Sequence, residues 1–458
     1  MNEMRGEILH MSMKQLFVML AVPGIIGTLI LGLYNFIDGI FVGQFIGPQA
    51  LGGVTLVYSI VLINQAILTL IGMGSMALLS IAVGKQDFKT INQLFGNLII
   101  TLGILSLVFS VIVYTFADDI ILFLGGRGIV FEYGRDYLKV LSLGFVFAAL
   151  GPAINMLFRG EGLIKNAMKI LSLGVLLNII LDFVFIYVME WGVKGAAQAT
   201  VISQIVVFCV NIIFIAKGKS VISLKHSKFK ISFKLMPKIL EIGSSTMILL
   251  IMASIQQIML FKTLSAYDDQ TLISLLGAAY RVLLFAVIPF AGIGQGLQSI
   301  IGINYGAGKI DRVREAYKVF TVRASVMAGA LWLLFMVFPE TFLGMMLSDP
   351  EMVQTGIPYF RLLFSTFLLT GVINNSATLF QALGKGWKAS VIFLSRQIIF
   401  FISLLMILPD YFGISGVWLS MPVAELLTIV IISVLVAIEF KKWGQPVAVS
   451  DTPAFIEN

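Results

Sequence analysis

Long runs of apolar residues, repeated along the whole chain, constrain this sequence more than any other feature. A helix needs about 20 apolar residues to cross a hydrocarbon layer of roughly 30 Å. Such runs are predicted near Leu16–Phe41, Val54–Val83, Leu94–Phe116, Leu138–Phe158, Ala167–Met189 and Ala196–Ala216. Six more are predicted near Ile239–Phe261, Leu272–Ile301, Val319–Phe338, Tyr359–Phe380, Ala389–Leu408 and Gly416–Ile438. Of its residues, 59% are hydrophobic and 12% are charged, unlike those of a soluble domain. We therefore predict an all-α integral membrane protein with twelve transmembrane helices.

Charged residues are distributed unevenly between alternate loops. Most of the 31 Lys and Arg fall at the chain ends and in the loops after even-numbered spans. The other loops are acidic and hold Asp118, Asp119, Asp268, Asp269 and Asp410. Because basic loops stay in the cytoplasm, we predict cytoplasmic termini and a multi-pass protein of the cell membrane. The net charge of +7 does not indicate a nucleic-acid partner, since the basic residues are dispersed among short loops.

The second half of the chain repeats motifs of the first half at a nearly constant offset of about 222 residues. Ala82–Asp87 corresponds to Gly306–Asp311, and Gly162 corresponds to Gly384. Six spans per repeat is an even number, so the two repeats insert in the same orientation, related by a pseudo-two-fold axis along the membrane normal. We therefore predict an amino-terminal lobe (1–216), a basic cytoplasmic linker (217–238) and a carboxy-terminal lobe (239–458), with a cavity between the lobes.

Ionisable residues inside the predicted spans are candidates for function, because a charge at the bilayer centre is costly. Asp38 lies in the first span and Asp182 in the fifth, and Asn178 precedes Asp182 by one helical turn. Two carboxylates with amide and hydroxyl oxygens nearby can hold a hard monovalent cation such as Na⁺ or share a proton. The alternative interpretation is that Asp38 caps a helix end close to water or pairs with a basic residue.

The second half also carries charges within its spans. Arg281 lies early in the eighth span, where it could meet an anionic group in the cavity or extend to the outer headgroups. Arg396 and Glu425 lie in the eleventh and twelfth spans and are predicted to form a structural ion pair.

No constellation of catalytic residues is visible. His10 and His226 fall in predicted cytoplasmic segments, Cys209 is the only cysteine, and no nucleotide-binding or metalloprotease motif occurs. We predict that the protein is not an enzyme and that it uses no cofactor other than a coupling ion, H⁺ and/or Na⁺.

Several motifs together resemble the MATE multidrug exporters, in particular the branch that contains the DinF-like and MepA-like transporters. They are Asp38 in the first span, Gly162 after Arg-Gly-Glu, Asn178–Asp182, Gly195–Thr200 and Asn304–Lys309, set within two parallel six-span repeats. The similarity covers nearly the whole chain.

The resemblance implies roles for individual residues. A cation site in the amino-terminal lobe, where sodium and protons compete, would comprise Asp38, Asn178, Asp182 and Thr200. Residues linked to helix bending and substrate contact would lie around it, namely Pro23, Tyr34, Tyr137 and Asn155. Where the NorM-like branch has acidic residues in the carboxy-terminal lobe, this chain has Ser244, Ser245, Asn374 and Asn375, which argues against a second cation site there.

These observations predict a secondary active exporter of small, cationic amphipathic compounds. It would exchange them for H⁺ and/or Na⁺ by alternating access, as a monomer in the lipid bilayer. The alternative is a flippase for a lipid-linked saccharide from the same broader superfamily. Such proteins have more spans and a strongly basic cavity, whereas few cations lie within the predicted spans here.

Overall fold

The computed structural model describes residues 2–267 and 270–443, without the side chains of residues 2, 3, 34–36 and 270. All regular secondary structure in this part of the chain is helical, and turns or irregular segments connect the helices. Eleven of its helices are long and apolar enough to cross a membrane. A pair of helices bent by 55° forms a twelfth span. The first six spans are Met13–Ile46, Pro48–Lys85, Phe88–Thr115, the pair Gly128–Ser142 with Phe145–Gly160, Ile164–Val188 and Gly192–Ala216. The last six are Met236–Ser265, Thr271–Gly306, Ile310–Val337, Pro350–Ala382, Gly386–Phe412 and Ile414–Lys442.

Helices are expected here because a lipid environment offers no hydrogen-bond partners for an open backbone. All twelve predicted spans coincide with observed ones, but several observed spans are longer. The fourth differs most, because its first limb begins at Gly128, ten residues before the predicted start. Charged side chains interrupt the apolar run in that limb, and three of them, Arg135, Asp136 and Lys139, form ion pairs. Asp136 lies 2.9 Å from Arg135 and 3.2 Å from Lys194, and Lys139 lies 3.0 Å from Asp118.

The two halves of the chain meet through helix backbones that touch at glycines. A Cβ atom on Gly243 would lie 1.7 Å from the Leu70 carbonyl oxygen, and one on Gly74 would lie 2.1 Å from that of Ile239. The same close approach recurs at Gly84, Gly306, Gly24 and Gly292. Most of these contacts join the end of the second span to the start of the seventh and the end of the eighth. The amino-terminal helix, segment 217–235 and the end of the twelfth span lie on this same side of the protein. We call this side the basic face.

Buried apolar residues show the same arrangement. The largest buried cluster joins both halves and includes residues next to the glycine contacts, such as Leu79, Ile239 and Ile303. A separate cluster near the opposite face contains residues of the first half alone, among them Val42 and Val193. The described halves are therefore packed together at the basic face, while the first half has its own core at the other face.

The amino-terminal helix, Asn2–His10, bridges the two halves at the basic face. Arg5 donates to the carbonyl oxygens of Val83 and Gly84 in the second span. At the other end of this helix, Arg312 of the ninth span donates to Ile8 and Met11 carbonyls, and Lys309 Nζ donates to the Leu9 carbonyl at 3.1 Å. These cations satisfy carbonyls that the helix end leaves without intrahelical partners.

The segment between the sixth and seventh spans is folded against the first half. Asn92 Oδ1 accepts from the Ser223 N–H at 2.9 Å, and Asn97 Oδ1 accepts from the Ser232 N–H at 2.7 Å. The Glu161 carboxylate accepts from Ser220 Oγ at 2.5 Å and from the Val221 N–H at 3.0 Å. Burial raises the pKa of Glu161 to about 7, against the lowering effect of these hydrogen bonds. The segment is thus a fixed part of the basic face; the lobe boundaries around it remain a prediction.

The glycine contacts predict that Gly243→Ala separates the halves at the basic face. Overpacking of this kind raises the free energy of the arrangement in which the halves are packed together by about 1–3 kcal/mol. The population of that arrangement would fall roughly tenfold. Spin labels at Lys165 and Trp387, in a Cys209→Ser background, would report longer interhalf distances in pulsed dipolar spectroscopy. Gly329→Ala is the control, because a Cβ there meets nothing within 4 Å. An unchanged distance distribution in Gly243→Ala would contradict this account of the joint.

Candidate functional site

The two intramembrane aspartates lie beside irregular turns in neighbouring helices. Asp38 lies near the end of the α-helical part of the first span, four residues before the π-helical turn Val42–Ile46. Asp182 is the last α-helical residue before the π-helical turn Phe183–Val188 of the fifth span. The first and fifth spans pack against each other, and Asp38 lies near Asp182. π-helical turns are rare and are found frequently at functional sites.

Asn178 and Thr200 connect Asp182 to the sixth span. In the amide orientation that satisfies both of its neighbours, Asn178 donates to Asp182 Oδ2 at 3.0 Å and accepts from the Thr200 N–H at 3.2 Å. The Thr200 hydroxyl oxygen lies 3.4 Å from the same amide. Asn178 and Asp182 are buried, at 1% and 0% exposure. The structure therefore brings together these three residues, with Asp38 close enough to interact electrostatically.

One oxygen of each aspartate has no partner. Asp38 Oδ1 and Asp182 Oδ1 are both buried and accept no hydrogen bond from the described residues. A buried polar atom without a partner costs free energy, more so when it belongs to a charged group. A proton or a hard cation would supply the missing interaction, and carboxylate, amide and hydroxyl oxygens are suitable ligands for such a cation. The donor set fits either Na⁺ or H⁺.

Other predicted site residues lie further along the same helices. Pro23 is the second residue of the α-helical part of the first span, which begins at Val22 directly after the π-helical turn Phe17–Ala21. Tyr137 is 5% exposed and packs in the cluster near the face opposite the basic face. The backbone of Tyr34 lies in the first span, and its side chain is outside the described ones.

Asn155 and Arg281 have surroundings that differ from those of the aspartates. The Asn155 amide donates to the Ala167 carbonyl at 3.0 Å and accepts from Arg159 Nη2 at 3.1 Å, so it joins the fourth span to the fifth. Arg281 has an exposed side chain on the eighth span. Among the described residues, neither Asn155 nor Arg281 forms a hydrogen bond or ion pair with Asp38 or Asp182. Their role in substrate contact remains a prediction.

The predicted ion pair of the second half is present. Arg396 Nη2 lies 3.2 Å from Glu425 Oε1, and the Thr366 hydroxyl donates to Glu425 Oε2 at 2.7 Å. The two charged side chains are 19% and 12% exposed. In contrast to the aspartates of the first half, these charges are matched within the protein.

Sequence reasoning missed one buried charged cluster. Glu439 is fully buried near the end of the twelfth span and accepts from Lys385 and, at 2.5 Å, from Lys388. Both lysines were predicted to be loop residues on the basic face. The signal was an acidic residue at the end of an apolar span, just before Lys441 and Lys442.

Comparison with known sequences follows the internal repeat. The model of the MatE family matches the chain twice, over residues 23–184 and 244–407. The chain belongs to the MatE family. Each match covers most of one predicted lobe, in agreement with the duplication read from the sequence.

Individual relatives of this MatE protein are distant but cover it almost completely. The multidrug export protein MepA of Staphylococcus haemolyticus is 24% identical over 407 residues, which are 88% of this chain and 89% of the relative. A crystal structure of MATE in the bent conformation superposes with a TM-score of 0.87 at 23% identity, covering 95% of this chain and 97% of the other. A MOP superfamily transporter from Pyrococcus furiosus superposes with a TM-score of 0.85 at 23% identity, covering 96% and 98%.

Several predictions are thereby confirmed. The fold is that of a MATE transporter, an all-α membrane protein with two parallel lobes. Proteins of the MatE family are transporters, so the prediction that the chain is not an enzyme is confirmed by its family membership. The chain is a multi-pass membrane protein.

The Arg396–Glu425 pair predicts a large loss of stability when one partner alone is removed. Glu425→Gln would leave the Arg396 charge buried without its partner, at a cost of about 3–5 kcal/mol. Replacing both residues, as Arg396→Met with Glu425→Leu, should restore the midpoint of thermal unfolding in detergent to near the original value. The exposed Asp410→Asn serves as a charge-change control. A Glu425→Gln protein as stable as the parent would show that the pair has no structural role.

Proposed function

We propose that this MatE protein is a secondary active multidrug exporter that exchanges H⁺ and/or Na⁺ for small cationic amphipathic compounds. The observation that carries the proposal is that one buried carboxylate oxygen each of Asp38 and Asp182 has no hydrogen-bond partner among the described residues. Two ionised carboxylates without a bound cation or proton are unfavourable at this position. Binding of a cation there therefore changes the relative free energies of the conformations of the surrounding helices. The name of the MepA relatives, which are multidrug export proteins, supports the substrate class.

The proposed mechanism is alternating access. Packing of the lobes at the basic face supports this mechanism, because it is the arrangement expected of a conformation that opens toward the opposite face. A cation that binds at Asp38 and Asp182 neutralises their mutual repulsion and draws the first span toward the fifth. The π-helical turns on either side of Asp38, Phe17–Ala21 and Val42–Ile46, and Pro23 between them, are the places where the first span bends. Bending narrows the space available to substrate and releases it.

The proposed orientation places the basic face in the cytoplasm, with both termini, in the cell membrane. It rests on the excess of Lys and Arg in the short loops of that face. With this orientation, release occurs outside the cell, as export requires. We expect the protein to act as a monomer.

The coupling role of the aspartates predicts that Asp38→Asn and Asp182→Asn each abolish gradient-driven export. The amide keeps the shape of the side chain but can neither release a proton nor neutralise a cation. Efflux of ethidium from proteoliposomes, measured separately under a sodium and a proton gradient, should fall at least about tenfold in each variant. The gradient that drives the parent protein identifies the coupling ion.

Asp410→Asn is the matched control, because Asp410 is exposed. It should export at the parental rate. Normal ethidium efflux by Asp38→Asn under both gradients would exclude the coupling role. Translocation of a lipid-linked saccharide without ethidium efflux by the parent protein would instead establish the flippase function.

A further inference from the structure

A cavity of about 910 Å³ lies at the basic face, away from the aspartates and from the joint between the halves. Its walls come from the start of the third span, the end of the sixth span and the segment that follows it. Since both spans end at this level, the cavity is at the depth of the lipid headgroups. The transport mechanism proposed above makes no use of it.

Positive charge surrounds the cavity. Lys89, Lys225, His226 and Lys228 line it, and none of its described lining residues is acidic. Apolar side chains make up much of the remaining wall, namely Phe88, Ile215, Val221, Ile222 and Leu224. A ligand that fits this lining carries negative charge at one end and apolar groups at the other.

Hydrogen bonds hold the wall in place. Asn92, which itself lines the cavity, accepts from the Ser223 N–H at 2.9 Å, and the Ser223 hydroxyl lies 2.9 Å from His226 Nδ1. On the far side of the segment, Glu161 binds Ser220 and Val221. The cations are therefore presented by a pre-arranged loop, which lowers the entropy lost when a ligand binds.

We propose that this cavity binds the phosphate headgroup of an anionic phospholipid, with Lys89, Lys225 and Lys228 facing the phosphate and the apolar wall contacting the upper acyl chains. Basic pockets between the ends of membrane helices are suited to such headgroups. A soluble phosphate ester offers the same charge, but it has no apolar part to contact the wall, and it is not concentrated at the depth of the lipid headgroups. Bound lipid would hold the segment between the two halves against the first half.

The test is binding of fluorescent phosphatidylglycerol to the purified full chain in detergent, measured by anisotropy without any ion gradient. Phosphatidylcholine and inorganic phosphate serve as competitors. Lys89→Gln, Lys225→Gln and Lys228→Gln together should weaken binding of phosphatidylglycerol by at least about tenfold. Unlabelled phosphatidylglycerol should compete, and neither phosphatidylcholine nor inorganic phosphate should.

The matched control is the triple variant Lys217→Gln, Lys219→Gln and Lys230→Gln. It removes the same charge from exposed residues of the same segment that do not line the cavity. It should bind like the parent. Equally weakened binding of phosphatidylglycerol in both triple variants would show that the lysines act only through the overall positive charge of the segment. That result would overturn the proposal. Competition by inorganic phosphate would assign the site to a soluble phosphate species and overturn the lipid assignment. Because no transport is measured, failure here is independent of the exporter function.

Discussion

The contact between helix backbones at Gly74, Gly243 and their neighbours is the constraint on which the rest of the structure depends. In a membrane, apolar side chains gain little by leaving lipid for protein, so helices associate through close packing and hydrogen bonds. Glycine allows that packing because its backbone can touch another backbone directly. Here the contacts are concentrated at the basic face, and the amino-terminal helix is bonded across the same joint by Arg5 and Arg312. In the proposed mechanism, the two halves rock about this joint, which lies mainly toward one face.

The two halves share a fold but manage buried charge differently. In the second half, Glu425 is paired with Arg396, and Glu439 is paired with Lys385 and Lys388. In the first half, Asp38 and Asp182 each keep an oxygen without a partner. A buried charge that is paired within the protein stabilises one arrangement of the helices. The free energy of an unpaired buried charge changes when a cation binds beside it. The proposed cation site therefore lies in one half of the duplicated scaffold, where the described buried charges are unmatched.

Sequence reasoning predicted the spans well because an apolar run of the right length has few alternatives in a bilayer. It placed the fourth span too late, because Asp136 and Lys139 are neutralised by Lys194 and Asp118, which are distant in sequence. The shared helical face of Asn178 and Asp182 followed from their spacing. The carboxylate oxygens without a hydrogen-bond partner could not be predicted from the sequence, because their state depends on which donors all the neighbouring helices place beside them. Residues 217–238 were predicted as a basic cytoplasmic linker, and the fold of segment 217–235 depends on contacts with the Asn92 and Asn97 amides of the third span.

The position of the π-helical turns connects the aspartates to movement of the lobes. In an α-helix each N–H is committed to the carbonyl four residues earlier, so the helix resists bending along its length. A π-helical turn interrupts that register, and it does so within a turn or two of Asp38 and directly after Asp182. In the proposed mechanism, relief of the repulsion between the carboxylates therefore acts next to irregular turns of the first and fifth spans. The second half has such a turn too, Ser395–Phe400, but it contains Arg396, which is held by Glu425. The same backbone feature is thus adjacent to an unmatched charge in one half and to a matched charge in the other, which is why we propose that the first half is the one that responds to a cation.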